Sequence, residues 1–197
     1  MFPSRLVGSM PRLFVRVSRP RALWTLAAIT LASGAAMLPA MSTMSDHGAS
    51  LIAFESAGSV SGSQEIISEW GGSGKSAAWW QLAFDMPFLI GYGLFAAGAC
   101  AAVARRAAKV GKVRLARAAA LIAWCGPVAA AADFLQNVSL ALVLSGRVNQ
   151  PWPRIAAICG PTTTILMVIG LAFALLGVVA TRARRITKAP RVVGSDD

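Results

Sequence analysis

The chain has 197 residues, of which 56% are hydrophobic and 14% charged, with a formal charge of +11 and a mean hydropathy of +0.61. A soluble domain of this size carries about a quarter charged residues. The deficit here falls in long apolar runs, which excludes an ordinary soluble domain and is the membrane pattern. The basic surplus flanks those runs without interleaved aromatic residues, so it follows membrane topology, and no nucleic-acid partner is expected.

Residues 1–21 form a basic arm with Arg5, Arg12, Arg16, Arg19 and Arg21 and no acid. Leu6, Leu13, Phe14 and Val17 make it loosely amphipathic, with breaks at Pro11 and Pro20. The expectation is a flexible cytoplasmic arm drawn to anionic headgroups. Residues 22–40 are the first apolar run, long enough at 1.5 Å per residue to cover roughly 28 Å. Small residues at Ser33-Gly34-Ala35 and Leu38-Pro39-Ala40 offer a rival reading as a cleaved signal peptide. The long basic lead and the length of the run favour a retained span.

Residues 41–78 are an acidic connection with Asp46, Glu55, Glu65 and Glu69 against Lys75 alone. Leu51, Ile52, Phe54 and Glu55 predict one short half-apolar helix after Ser45 and Asp46. A second is predicted from Ser61, with Gln64 completing a capping box, carrying Ile66, Ile67 and Trp70 and stopping at Gly71-Gly72. The stretch Gly71-Gly72-Ser73-Gly74-Lys75-Ser76 mimics a phosphate-binding loop. The residue five before Gly74 is Glu69 rather than glycine and no βαβ pattern surrounds it, so it reads as a hinge.

The second span is predicted over 79–104. Trp79 and Trp80 suit a membrane interface, and Gln81, Asp85 and Tyr92 fall near one another around a helix. A compact basic loop follows, with Arg105, Arg106, Lys109, Lys112, Arg114 and Arg117. The third span covers about 117–144, with a bend expected at Pro127. Inside it lie Asp133, Gln136 and Asn137, at i, i+3 and i+4 on one helix face. A charged group at a helix centre in lipid costs about 2.5 to 3.5 kcal/mol, so that face must look at protein or trapped water. The fourth span covers about 155–180 and holds Thr162, Thr163 and Thr164. Residues 182–197 read as a disordered cytoplasmic tail.

Sixteen of the nineteen lysines and arginines fall in the arm, the 105–117 loop and the tail. By the positive-inside rule both termini and that loop are cytoplasmic, which places the chain as a multi-pass protein of the cytoplasmic (plasma) membrane. The predicted fold class is an all-α integral membrane protein, a four-transmembrane-helix bundle over 22–180 with a short helical extracytoplasmic segment. Depths counted along the spans put Asp85 roughly 9 Å in, Asp133 and Asn137 about 10 to 18 Å, and the threonines about 10 to 14 Å. Three spans thus bring polar groups to one level, and Glu55 caps it from above. The candidate polar site is Glu55, Gln81, Asp85, Tyr92, Asp133, Gln136, Asn137, Thr163 and Thr164. Cys100, Cys125 and Cys159 lie in apolar runs far from His47, the only histidine, and read as small hydrophobes. No metal or cofactor is expected.

Four stretches together resemble a family of uncharacterised bacterial four-span membrane proteins. They are Ile52-Ala-Phe-Glu55, Ile67-Ser-Glu-Trp70-Gly, Leu82-Ala-Phe-Asp85-Met-Pro-Phe-Leu-Ile-Gly-Tyr92 and Ala132-Asp133-Phe-Leu-Gln-Asn137. Members tend to carry Asp-x-x-Glu-Asn in the third span, where this chain has Gln136. Many also have a lysine early in the fourth span, where this chain has Thr162 to Thr164. The resemblance implies the four-span fold and no activity. From the residues, the leading expectation is a non-enzymatic site for a small or lipid-like ligand, with the bilayer as surroundings. Alternatives are a membrane enzyme using Asp85 and Asp133 as acid and base, on a loose analogy with small four-span lipid-modifying enzymes such as sterol isomerases, and a purely structural polar network. A ligand or catalytic site requires a cavity lined by both acids. A structural network requires the acids packed against donors with no void.

Overall fold

In a computed structural model the described residues are 10–186, with side chains described through 181. Arg5 and Leu6 of the arm, and the predicted tail beyond 186, lie outside them. Seven helices follow one another, and no strand occurs among the described residues. They are α1 (Arg12–Val17), α2 (Pro20–Asp46), α3 (Leu51–Ser56), α4 (Val60–Lys109), α5 (Val113–Ile122), α6 (Cys125–Leu144) and α7 (Trp152–Ile186). Four helical stretches are long and apolar enough to cross a membrane: α2, α4, α5–α6 together, and α7.

Each helix begins where local chemistry allows it. Pro20 opens α2 at a position that needs no N–H. Ser50 caps α3 by accepting from Ala53 N at 3.2 Å. Ser59 caps α4 by accepting from Gly62 N at 3.1 Å. The predicted cap at Ser61 is therefore two residues late, because the left-handed turn at Gly58 (φ 64) delivers Ser59 to the cap position. The break expected at Gly71-Gly72 is present: α4 is two helical stretches joined across a kink there. Gly71 takes φ 56 and ψ −149, a combination open essentially to glycine, and the helix resumes at once on a new axis. A Cβ built at Gly71 would meet nothing within 4 Å, so the demand is for backbone rotation rather than room.

α4 is the central element. It packs against α2, α6 and α7, and against α1 and α5 at one end. α2 and α7 both pack on it and share no substantial packing with each other; α3 bridges them by touching both. The third apolar stretch bends at Ala123 and Trp124, in the turn before Pro127, as expected of a proline bend. Trp124 N bonds Leu121 O in a tightened turn, and Pro127 has no N–H to offer the carbonyl of Ala123. The observed helices also overrun the predicted spans, since intrahelical hydrogen bonding needs no apolar side chains to continue.

The basic end corrects two expectations. From Met10 onward the arm is ordered rather than flexible: Phe14 is buried with its ring edge-on to Trp124 at 5.0 Å, and Arg105 donates to Ser18 Oγ at 2.9 Å. Pro11 and Pro20 fall at breaks as expected: Pro11 precedes α1, and Pro20 starts α2 after the non-helical Ser18 and Arg19. At the other terminus α7 runs to Ile186, so residues 182–186 are helical rather than part of a disordered tail. At the opposite end of the bundle, Met44, Phe54, Trp70, Leu140 and Leu144 form a buried cluster that roofs the space between the long helices.

Candidate functional site

Gln81, Asp85 and Phe88 follow one another at helical spacing and place one face of α4 toward a cavity. α6 contributes Asp133 and Gln136 from the facing side. The two helices are stitched by two side-chain hydrogen bonds. Asn137 Nδ2 donates to Asp85 Oδ2, and Tyr92 Oη donates to Asp133 Oδ2 at 2.7 Å. Each acid thus takes a donor from the other helix. The close approach this needs comes from glycine: a Cβ on Gly93 would lie 2.8 Å from Ala130 Cβ and 3.1 Å from Gly126 O.

α7 supplies Gly160, Pro161, Thr163, Thr164 and Ile165. Gly160 leaves room for the Gln136 amide, whose two heteroatoms would each be 3.3 Å from an added Cβ. Thr163 Oγ1 donates to Ala129 O at 3.2 Å and ties α7 to α6, while Thr164 Oγ1 donates to Gly160 O within its own helix. Thr162 is exposed and bonds Ile158 O, away from the cavity.

The fourth wall is α3. Leu51 and Phe54 are buried, and Phe54 packs on Trp70 with ring centroids 4.9 Å apart. Trp70 Nε1 donates to Ala49 O at 2.7 Å, which pins the short helix. With Leu51 held in the core, the i+4 position brings Glu55 down into the same cavity as Asp85 and Asp133. Burial first, then the negative charges of Asp85 and Asp133, push the Glu55 carboxyl up from 4.5 to about 7, against a smaller opposing effect of the Gln136 amide.

The cavity has a volume of about 540 Å³ and is open on one side. Seven of the nine residues in the sequence-predicted site line it: Glu55, Gln81, Asp85, Asp133, Gln136, Thr163 and Thr164. Tyr92 and Asn137 stand behind it and hold the two acids. Tyr92 was expected beside Gln81 and Asp85 on its own helix, but its hydroxyl reaches across to α6. Sequence reasoning missed Phe88, one helical turn beyond Asp85, and the pair Met37 and Met41, whose i, i+4 spacing on α2 marks a common face. It also left out the first span, whereas α2 lines the cavity with Met37 and Met41; α3 was expected through Glu55. Compared with known proteins, the chain matches no family model, no curated protein and no solved structure.

Proposed function

We propose that this chain is an integral protein of the cytoplasmic membrane that crosses it four times, with both termini inside, and holds a small or lipid-like ligand in the cavity among its helices. The outward faces support the membrane reading. Trp24, Leu31, Leu38, Leu121, Phe134, Val168, Leu175 and Val179 are all more than half exposed, a surface too apolar for water. The basic end carries Arg12, Arg16, Arg19, Arg21 and the six bases of 105–117, whereas Asp46, Glu65 and Glu69 lie in the connection at the other end. By the positive-inside rule the basic end is cytoplasmic, and the cavity then lies in the outer half of the bilayer.

The observation that carries the ligand reading is a void of about 540 Å³ lined by both intrahelical acids and by Glu55. A network serving only to join the helices would close on itself. Here Asp85 and Asp133 each hold one side-chain donor, although a carboxylate has room for about four, and the remaining acceptors face the cavity. The size falls in the range of small-molecule sites, roughly 300–1,000 Å³.

Mass spectrometry of material copurified with the wild type and with Asp85→Asn, Asp133→Asn and Thr164→Phe tests this. The last variant fills the cavity from an exposed position and leaves every acid in place. A small molecule or lipid enriched in the wild type and lost in all three is expected; identical profiles would contradict a ligand site. A catalytic role for the two acids is favoured by their unlike partners, an amide for one and a phenol for the other, since acid and base need different environments. It adds the expectation that the bound species differs chemically between the wild type and the Asp→Asn variants.

A further inference from the structure

The cavity wall is one-sided in its chemistry. Glu55, Asp85, Asp133 and the amides of Gln81 and Gln136 face it, and no lysine, arginine or histidine lines it among the described residues. Gln81 is 4% exposed, and its Oε1 is the one buried side-chain polar atom among the described residues with no hydrogen-bond partner. An unpaired buried acceptor costs about 1–3 kcal/mol unless something donates to it. The missing group is therefore a donor.

No cluster of three or more His, Cys, Asp or Glu side chains among the described residues is close enough to hold a metal ion. A group that satisfies dispersed acceptors must instead carry several donors and positive charge. The mouth narrows the choice further. α2 and α7 both lean on α4 and leave a gap between them, edged by Met37 and Met41 on one side and by Pro161 and Ile165 on the other. Ile165 is 59% exposed, so the gap reaches the apolar flank of the bundle. Methionines at such an edge adapt to chains of varied shape.

We infer that the ligand is an amine-headed amphiphile, whose ammonium sits among Gln81, Asp85, Asp133 and Glu55 and whose alkyl tail leaves between α2 and α7 into the acyl region. This rests on the ligand-site reading above and names its substrate class. The ammonium donates to Gln81 Oε1 and to the free carboxylate lone pairs. Phe88 offers a ring in the same wall, where a cation and the first methylenes both find favourable contact. Anionic heads are rejected by the three acids, and a neutral alcohol brings one donor and no charge.

The test uses the full wild-type chain in phosphatidylcholine nanodiscs at neutral pH, with radiolabelled dodecylamine as the probe and empty nanodiscs as the blank. Unlabelled dodecylamine, dodecanol, dodecanoate and butylamine compete. Saturable binding is expected, with dodecanol and dodecanoate each weaker by about tenfold or more, and butylamine weaker because it lacks the tail. Asp85→Asn and Thr164→Phe should each lower the affinity by about tenfold. Equal competition by dodecanol or dodecanoate would overturn the amine assignment and leave a lipid-ligand site standing. Equal competition by butylamine would overturn the amphiphile and leave an amine site. No saturable binding of the amine would overturn the inference, and labelled dodecanol and dodecanoate run in parallel then decide the site itself: binding of either spares the ligand reading, and binding of neither removes it.

Discussion

Replacing Gly93 with alanine puts the packing of the two acid-bearing helices under a measurable load. The new Cβ would sit 2.8 Å from Ala130 Cβ and 3.1 Å from Gly126 O. Carbon atoms rest at about 3.5–4.0 Å, so α4 and α6 must part by roughly 0.7–1.2 Å. The Tyr92–Asp133 hydrogen bond, one residue away and 2.7 Å long, crosses the same gap. The same separation stretches it to roughly 3.4–3.9 Å, past the useful range. Overpacking of this kind costs about 1–3 kcal/mol, and loss of a hydrogen bond to a carboxylate about 1.5–3 more. Better helix propensity returns only about 0.5–1 kcal/mol. The net expectation for Gly93→Ala is a destabilisation of at least ~2 kcal/mol. Gly170→Ala is the matched control. Its Cβ would meet Cys125 and Ala96 at 3.8 and 3.9 Å, ordinary contact, so it should be neutral or gain up to about 1 kcal/mol. Thermal denaturation in detergent, followed by loss of monodisperse protein, reads both. Equal stability of the two variants would refute the close crossing of α4 and α6.

Glu55→Gln should stabilise the unliganded protein in a pH-dependent way. The carboxyl rises from 4.5 to about 7 in the fold, so near pH 4 it is protonated in both states and costs nothing; between pH 4.5 and about 7 the fold holds a proton that the unfolded chain releases, which destabilises the wild type progressively, and above about 7 the penalty is constant. The melting temperatures of variant and wild type should coincide at low pH and diverge by about pH 8, and a constant gap would contradict the placement of Glu55. Tyr92→Phe leaves Asp133 without its donor and should destabilise by about 1–3 kcal/mol, and a double-mutant cycle with Asp133→Val should show strong coupling rather than additivity. Trp70→Phe should cost about 1 kcal/mol through the orphaned Ala49 carbonyl, and Trp70→Ala about 3–5. Limited proteolysis within 47–59 should accelerate in that order.

The four long helices are legible because length and apolarity alone define them, and the single polar face of Asp133, Gln136 and Asn137 follows from helical spacing. Spacing on one helix says nothing about partners on another. Tyr92 could therefore be placed near Asp85 by angle while its hydroxyl in fact crosses to Asp133. The descent of Glu55 into the cavity depends on Trp70 and Phe54 locking α3, a contact between segments that no local pattern encodes. The cap at Ser59 was hidden among neighbouring serines, and only the turn at Gly58 selects it. Arginines dominate the arm and suggest flexibility, whereas buried Met10 and Phe14 and the Arg105–Ser18 hydrogen bond dock it against the bundle.

In the proposed membrane arrangement, ionisable side chains turn inward from the long apolar helices. Nitroxide labels placed singly at positions 133, 134, 135 and 136 of the protein in lipid bilayers read this directly, through collisions with oxygen, which concentrates among acyl chains. Phe134 and Leu135 are 51% and 45% exposed and Gln136 is 3% exposed. Labels at 134 and 135 should therefore show high oxygen accessibility, and labels at 133 and 136 low. A label at 133 as accessible to oxygen as one at 134 would turn Asp133 toward lipid and contradict the account.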